Sequence, residues 1–108
     1  MGATGDDLLF AARTPLGFTV RVTRERWRVI STLKHPVMAG QESAVQATLE
    51  RPEQVRCSRS DPEVLLFYRQ DGPRRWVCGV TKRTAESGFL ITAYPTDAIK
   101  EGTKIWPA

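Results

Sequence analysis

Apolar residues recur with two different periods along this chain, and the change falls near Pro52. The stretch "FTVRV", residues 18 to 22, alternates apolar and polar positions and is rich in β-formers, which predicts a short strand with Phe18, Val20 and Val22 on its inner face. Thr23 can then cap a helix, with Glu25 in the first turn where a carboxylate suits the positive end of the dipole. Trp27 and Ile30 follow at helical spacing on one face, with Arg24 and Arg28 on another. The helix must stop near Lys34, because Pro36 disfavours helical geometry at His35 before it. A second helix is predicted over "GQESAVQATLERP", residues 40 to 52, with Ala44, Val45, Thr48 and Leu49 as its apolar stripe.

Beyond Pro52 the period becomes two. Strands are expected at "QVRCS" (54 to 58), "EVLLFYRQ" (63 to 70), "RWVCGVTKR" (75 to 83) and "FLITAY" (89 to 94), with turn chemistry in "DGPR" and "AESG" between the last three. Residues 1 to 17, rich in Gly, Pro and Thr around one short apolar cluster, read as a flexible N-terminal arm ahead of a single domain at 18 to 108. The fold class is therefore α+β: one strand and two helices, then an antiparallel meander of about four strands, with the helices packed on one sheet face. The other face is left for solvent or a partner. Parity along "FLITAY" sets Phe89, Ile91 and Ala93 against Leu90, Thr92 and Tyr94; if the first set packs under the helices, Thr92 and Tyr94 stand together on the open face. The final "PTDAIKEG", with Ile105 and Trp106, reads as a terminal turn or bulge that ties the last strand down, giving Asp97 and Lys100 structural roles.

Composition sharpens this picture in two ways. Sixteen Lys and Arg against 12 Asp and Glu give a net charge of +4, which raises the expectation of a polyanionic partner, and Arg21, Arg24, Arg26 and Arg28 fall within eight residues. Two cysteines, Cys57 and Cys78, are too few for a disulfide scaffold and lack CxxC spacing, so free thiols in a reducing cytosol are expected. No apolar run approaches the roughly 20 residues that span a bilayer, and "LLFAA" follows two aspartates rather than a basic segment. A soluble cytoplasmic protein with no membrane partner is the expectation.

Candidate chemistry is sparse. His35 is the only histidine, and histidine is the one side chain whose ordinary pKa allows proton exchange near neutrality; at a helix end it serves equally well as a surface or capping residue. A single histidine needs a second group for acid/base work, such as Tyr94 or a lysine. Thr92 and Tyr94 are favoured strand residues in their own right, so their adjacency is packing as readily as chemistry. Arginines grip phosphates in bidentate forks; Arg56, Arg69 and Arg59 can project toward a polyanion, and Lys82 and Arg83 flank one strand, or all five simply solvate a basic surface. Tyr68 and Trp76 can stack on bases or fill the core. There is no phosphate-binding Gly-rich loop, GxSxG or HExxH, and no cluster of His, Cys and carboxylates at ligand spacing, so any catalysis is expected to need neither metal nor cofactor.

Four stretches together carry a resemblance: "KHP" after the first helix, "ATLERPEQVR" at the second helix and its exit, "WVCGVTKR" in a central strand, and "FLITAYPTDAIKEG" at the end. In these the chain resembles phage-associated nuclease-like domains of the barnase/EndoU/colicin/RelE superfamily, over about residues 18 to 106. The resemblance implies a small metal-independent ribonuclease-type domain in which a ribose 2′-hydroxyl attacks the adjacent phosphate and leaves a cyclic phosphate. It implies RNA as the substrate, and an antitoxin or immunity protein as a partner of such a toxin. Matched residue by residue, His35 takes the helix-terminal position of general base or acid. Thr92 takes the last-strand hydroxyl that contacts the scissile phosphate, with Tyr94 beside it, and Arg56 or Arg59 stabilises charge on phosphorus. Arg56, Arg69, Lys82 and Arg83 are the expected RNA contacts. The alternative is a catalytically silent RNA- or protein-binding module of the same fold, or a structural piece of a phage particle.

Overall fold

A computed structural model describes residues 7–108 of the chain. Seven strands form one mixed sheet in the order β1-β2-β6-β5-β4-β3-β7, where β1 is Leu8–Arg13, β2 Thr19–Thr23, β3 Gln54–Cys57, β4 Val64–Gln70, β5 Trp76–Thr84, β6 Ser87–Thr96 and β7 Thr103–Trp106. The meander expected after Pro52 is present: β3, β4, β5 and β6 are consecutive antiparallel neighbours. Two helices, α1 (Arg24–Val29) and α2 (Glu42–Glu50), separate β2 from β3, so the molecule is a mixed α/β structure dominated by its sheet.

The helix boundaries follow the local signals. The backbone N–H of Arg26 donates to Thr23 Oγ1 at 3.1 Å, the N-cap that the sequence predicts. Past Val29 the helix widens into a π turn over Ile30–Lys34, closed by His35 N–H donating to the Ile30 carbonyl at 2.7 Å, and Pro36 then opens a short 3₁₀ turn. On α2, Val45, Thr48 and Leu49 are buried. With Trp27, Ile30 and Met38 they cover a sheet face built from Phe18, Val20, Val22, Val55, Leu65, Phe67, Val77, Leu90 and Ala93, so the core lies between one sheet face and both helices.

Three expectations are corrected. The arm expected at residues 1 to 17 is in part a strand: β1 pairs antiparallel with β2 and buries Ala12 completely, while residues 1–6 lie outside the described residues. Of the C-terminal stretch expected to form a turn or bulge, residues 97–102 are an irregular loop, but Thr103–Trp106 becomes a seventh strand, pairing antiparallel with β3 at the other sheet edge. Neither short segment has enough alternation to announce itself; each gains its hydrogen bonds only from a partner distant in sequence. The parity of "FLITAY" is also broken. Thr81 pairs with Leu90 but the adjacent Val80 pairs with Thr92, which leaves Ile91 as the extra residue of a β-bulge. Leu90 therefore joins Ala93 in the core, and Phe89 turns outward on the same face as Thr92 and Tyr94.

Candidate active site

Strand register orders the open face into rows. Going from β6 toward β3, one row reads Phe89, Lys82, Val64; the next Thr92, Val80, Leu66, Arg56; the next Tyr94, Cys78, Tyr68, Gln54; and the last Thr96, Trp76, Gln70. The middle of the face is apolar: Leu66, Tyr68 and Cys78 are buried, with Trp76, Val80, Tyr94 and Ile99 packed around them. Ile99 belongs to the loop that runs from β6 to β7, so that loop caps part of the face. Arg56 holds the loop in place. Its guanidinium donates to the carbonyls of Glu101 at 2.7 Å and Gly102 at 2.9 Å, and to Gln54 Oε1 at 3.0 Å.

Between this loop and the β3–β4 loop lies a cleft of about 430 Å³. Its floor is Val64, Leu66, Val80 and Tyr94; Ser58, Arg59 and Ser60 form one wall, and Lys100, Glu101 and Gly102 the other. Two cations, two serine hydroxyls and the Glu101 carboxylate thus border a floor that is apolar but for the Tyr94 hydroxyl, and the two cations are the groups that could hold a phosphodiester there. Burial first, and then the neighbouring Cys78 thiol, push the Tyr94 hydroxyl well above the usual phenol range, so Tyr94 is a hydrogen-bond donor at neutral pH and not a base. Tyr68 is pushed upward for the same reasons. Burial raises the Cys78 thiol to about 11 against the opposing pull of the two tyrosine hydroxyls, which leaves it protonated.

His35 reaches this site from the sheet edge. The parallel pairing of β2 with β6 ends at Phe89, so the later half of β6 is flanked instead by the connection between α1 and α2, and Lys34 Nζ donates to the Ile91 carbonyl at 3.5 Å. That passage sets the His35 ring against Tyr94, with centroids 5.4 Å apart and planes tilted by 46°. His35 does not line the cleft itself; it meets the cleft through Tyr94.

The predicted residues are thus distributed unevenly. Tyr94 and Arg59 both line the cleft, His35 touches Tyr94 from the β6 edge without being brought to Arg59, and Thr92 shares the open face with its Oγ1 buried and unpartnered. Arg56 is on the face but occupied by loop carbonyls. Lys82 is on the face but tied to Asp61 Oδ2 at 3.0 Å and Glu63 Oε1 at 3.6 Å. Arg69 and Arg83 are not brought to the site: Arg69 lies on the helix side and donates to the Arg51 carbonyl at 2.7 Å, and the Arg83 guanidinium lies 4.6 Å from the Phe18 ring centroid. Both sit at core-side parity, which β-strand alternation makes readable only once the register is known. The sequence pattern did not mark Ser58 or Ser60 and gave Lys100 only a structural role; nothing local distinguishes them, and the loop that Arg56 holds is what brings Lys100 into the same cleft as Arg59. Among the described residues no helix is long and apolar enough to cross a membrane. No family profile, curated protein or solved structure matches the chain.

Proposed function

We propose that the chain is a metal-independent endoribonuclease of toxin or phage type, acting in the cytoplasm through 2′-hydroxyl attack. The observation that carries this is the contact of the single histidine with Tyr94, which also lines a cleft bordered by Arg59 and Lys100. In the reaction, a ribose seated over Tyr94 at the cleft edge presents its 2′-hydroxyl to the His35 imidazole, which takes the proton as the 2′-oxygen bonds to phosphorus. The bond from phosphorus to the 5′-oxygen then breaks, and the departing oxygen takes a proton from water at the open mouth of the cleft. The products are a 2′,3′-cyclic phosphate and a free 5′-hydroxyl. Arg59 and Lys100 offset the charge that develops on the phosphorane, and the Tyr94 hydroxyl donates to a non-bridging oxygen. The motif resemblance to the barnase/EndoU/colicin/RelE-type domains supports the same chemistry, and an antitoxin or immunity protein belongs to the same proposal.

The purified chain is expected to cut single-stranded RNA in the presence of EDTA and leave cyclic phosphate ends. His35→Ala should abolish cleavage, and Arg59→Ala should lower it by roughly a hundredfold, the scale seen when one donor to a developing oxyanion is removed. Undiminished cleavage by the His35→Ala variant would sink the assignment. Salt-dependent RNA binding without cleavage by the parent chain would select the catalytically silent binding module instead.

A further inference from the structure

Phe89 has an unusual place for a large apolar side chain. It is the third residue of β6, next to the fully buried Leu90, yet is 43% exposed. The bulge at Ile91 is what turns it outward, and bulges commonly serve to re-aim a side chain. Its register partners are Arg21 on β2 and Lys82 on β5, and across from Arg21 on β1 is only Ala11, so no bulky residue stands at the next position of that row. Arg13, two residues further along β1, donates to Thr19 Oγ1 at 3.3 Å. Neither Arg13 nor Arg21 has a carboxylate partner among the described residues, whereas Lys82 is shared between Asp61 and Glu63. An exposed ring on a sheet face with unneutralised guanidinium groups on one side is the arrangement by which proteins hold single-stranded nucleic acid: the ring stacks on a base and the cations follow the backbone.

We propose that Phe89, with Arg21 and Arg13, forms a base-stacking subsite for single-stranded RNA that continues from the cleft at Tyr94. Val64 connects the two, since it pairs with Lys82 beside Phe89 and also lines the cleft floor. Phe89 and Tyr94 pair with Lys82 and Cys78, four residues apart on β5 because Ile91 is bulged out, so the strand advances about 14 Å between them at 3.4 Å per residue. A stacked strand of nucleic acid advances about 3.4 Å per nucleotide, so the base on Phe89 lies a few nucleotides from a phosphate held at Tyr94, and a dinucleotide is too short to reach both. The proposal takes the identity of its polymer from the ribonuclease assignment but makes a separate claim about length.

The test uses the full chain carrying His35→Ala, with labelled uridine oligonucleotides of eight and two nucleotides, and reads binding by fluorescence anisotropy. Phe89→Ala should weaken octamer binding about tenfold, within the range of one lost base stack, and leave the dinucleotide unaffected; Phe89→Trp should retain octamer affinity. Arg21→Gln should lower the slope of log affinity against log salt by about one. Circular dichroism and melting of Phe89→Ala should match the parent, because the ring is not part of the core. Octamer binding that is indifferent to Phe89→Ala, or a parent that binds no octamer, overturns the subsite. So does a result in which Phe89→Ala abolishes self-association in sedimentation while octamer binding persists, since the patch would then serve a protein partner. The two claims fail separately: Phe89-dependent octamer binding by a wild-type chain that cuts nothing removes the nuclease and keeps the subsite, whereas cleavage with no Phe89 dependence of octamer binding does the reverse.

Discussion

Replacing Thr92 by valine should make this protein more stable. Thr92 Oγ1 is closed off from solvent and has no hydrogen-bond partner. A buried hydroxyl in that condition costs about 1–3 kcal/mol relative to one that is paired or hydrated. Valine keeps the β-branched shape and the strand preference of threonine while removing the unpaired oxygen, so neither the bulge at Ile91 nor the packing against Val80 has to change. A net gain of about 1 kcal/mol corresponds to an increase in Tm of roughly 4–8 °C for a domain near this size. Urea titration is the sharper assay: the midpoint should rise at constant m value, showing a change of stability and not of denatured-state compactness. Thr92→Ser keeps the oxygen and deletes a methyl group, so it should lose about 1 kcal/mol. If Thr92→Val is less stable than the parent, the hydroxyl has a partner in solution and the reasoning is refuted.

Three further predictions address what holds the site together. Gly102 has φ +78°, and a Cβ there would collide with the Cys57 carbonyl oxygen, so Gly102→Ala should cost at least the roughly 1–2 kcal/mol of a left-handed non-glycine residue and speed hydrogen exchange at Thr103–Trp106; unchanged protection there would contradict it. Asp61 is held below its ordinary value of 3.8 by the Glu63 N–H and then by Lys82, so its contribution is present above pH 3.8 and lost as pH falls through the lower folded value; the stability difference between parent and Asp61→Asn should vanish in that acid range, and a difference that persists at pH 2 argues against this pairing. Cys78 is buried with its thiol raised to about 11, while Cys57 is half-buried at the mouth of a separate pocket beside Pro62 and Ile105; a disulfide reagent at pH 8 should modify one thiol in the folded protein and two in denaturant, and rapid loss of both in the folded state would show that Cys78 is accessible.

What the sequence determined by itself was local. Alternation located β2 and the meander, the Thr23 cap and Pro36 bounded α1, and Pro36 also ensured that the one histidine would stand at the end of that helix. Thr92 and Tyr94 share the open face as parity suggested, because the bulge lies before both of them. Everything that makes a site of these residues was decided at longer range. The early end of the pairing between β2 and β6 opened an edge for His35 to pass; Arg56, a surface cation by sequence, was spent on carbonyls of the loop that carries Lys100 into the same cleft as Arg59; register sent Arg69 and Arg83 to the opposite side. The bulge at Ile91 exchanged Phe89 for Leu90, an inversion no period-two pattern contains, because a bulge is set by how two strands meet and not by either strand alone. Side-chain periodicity can thus name the residues on a strand's two faces, but which face meets water, and which distant loop closes over it, depends on partners that only the folded chain brings together.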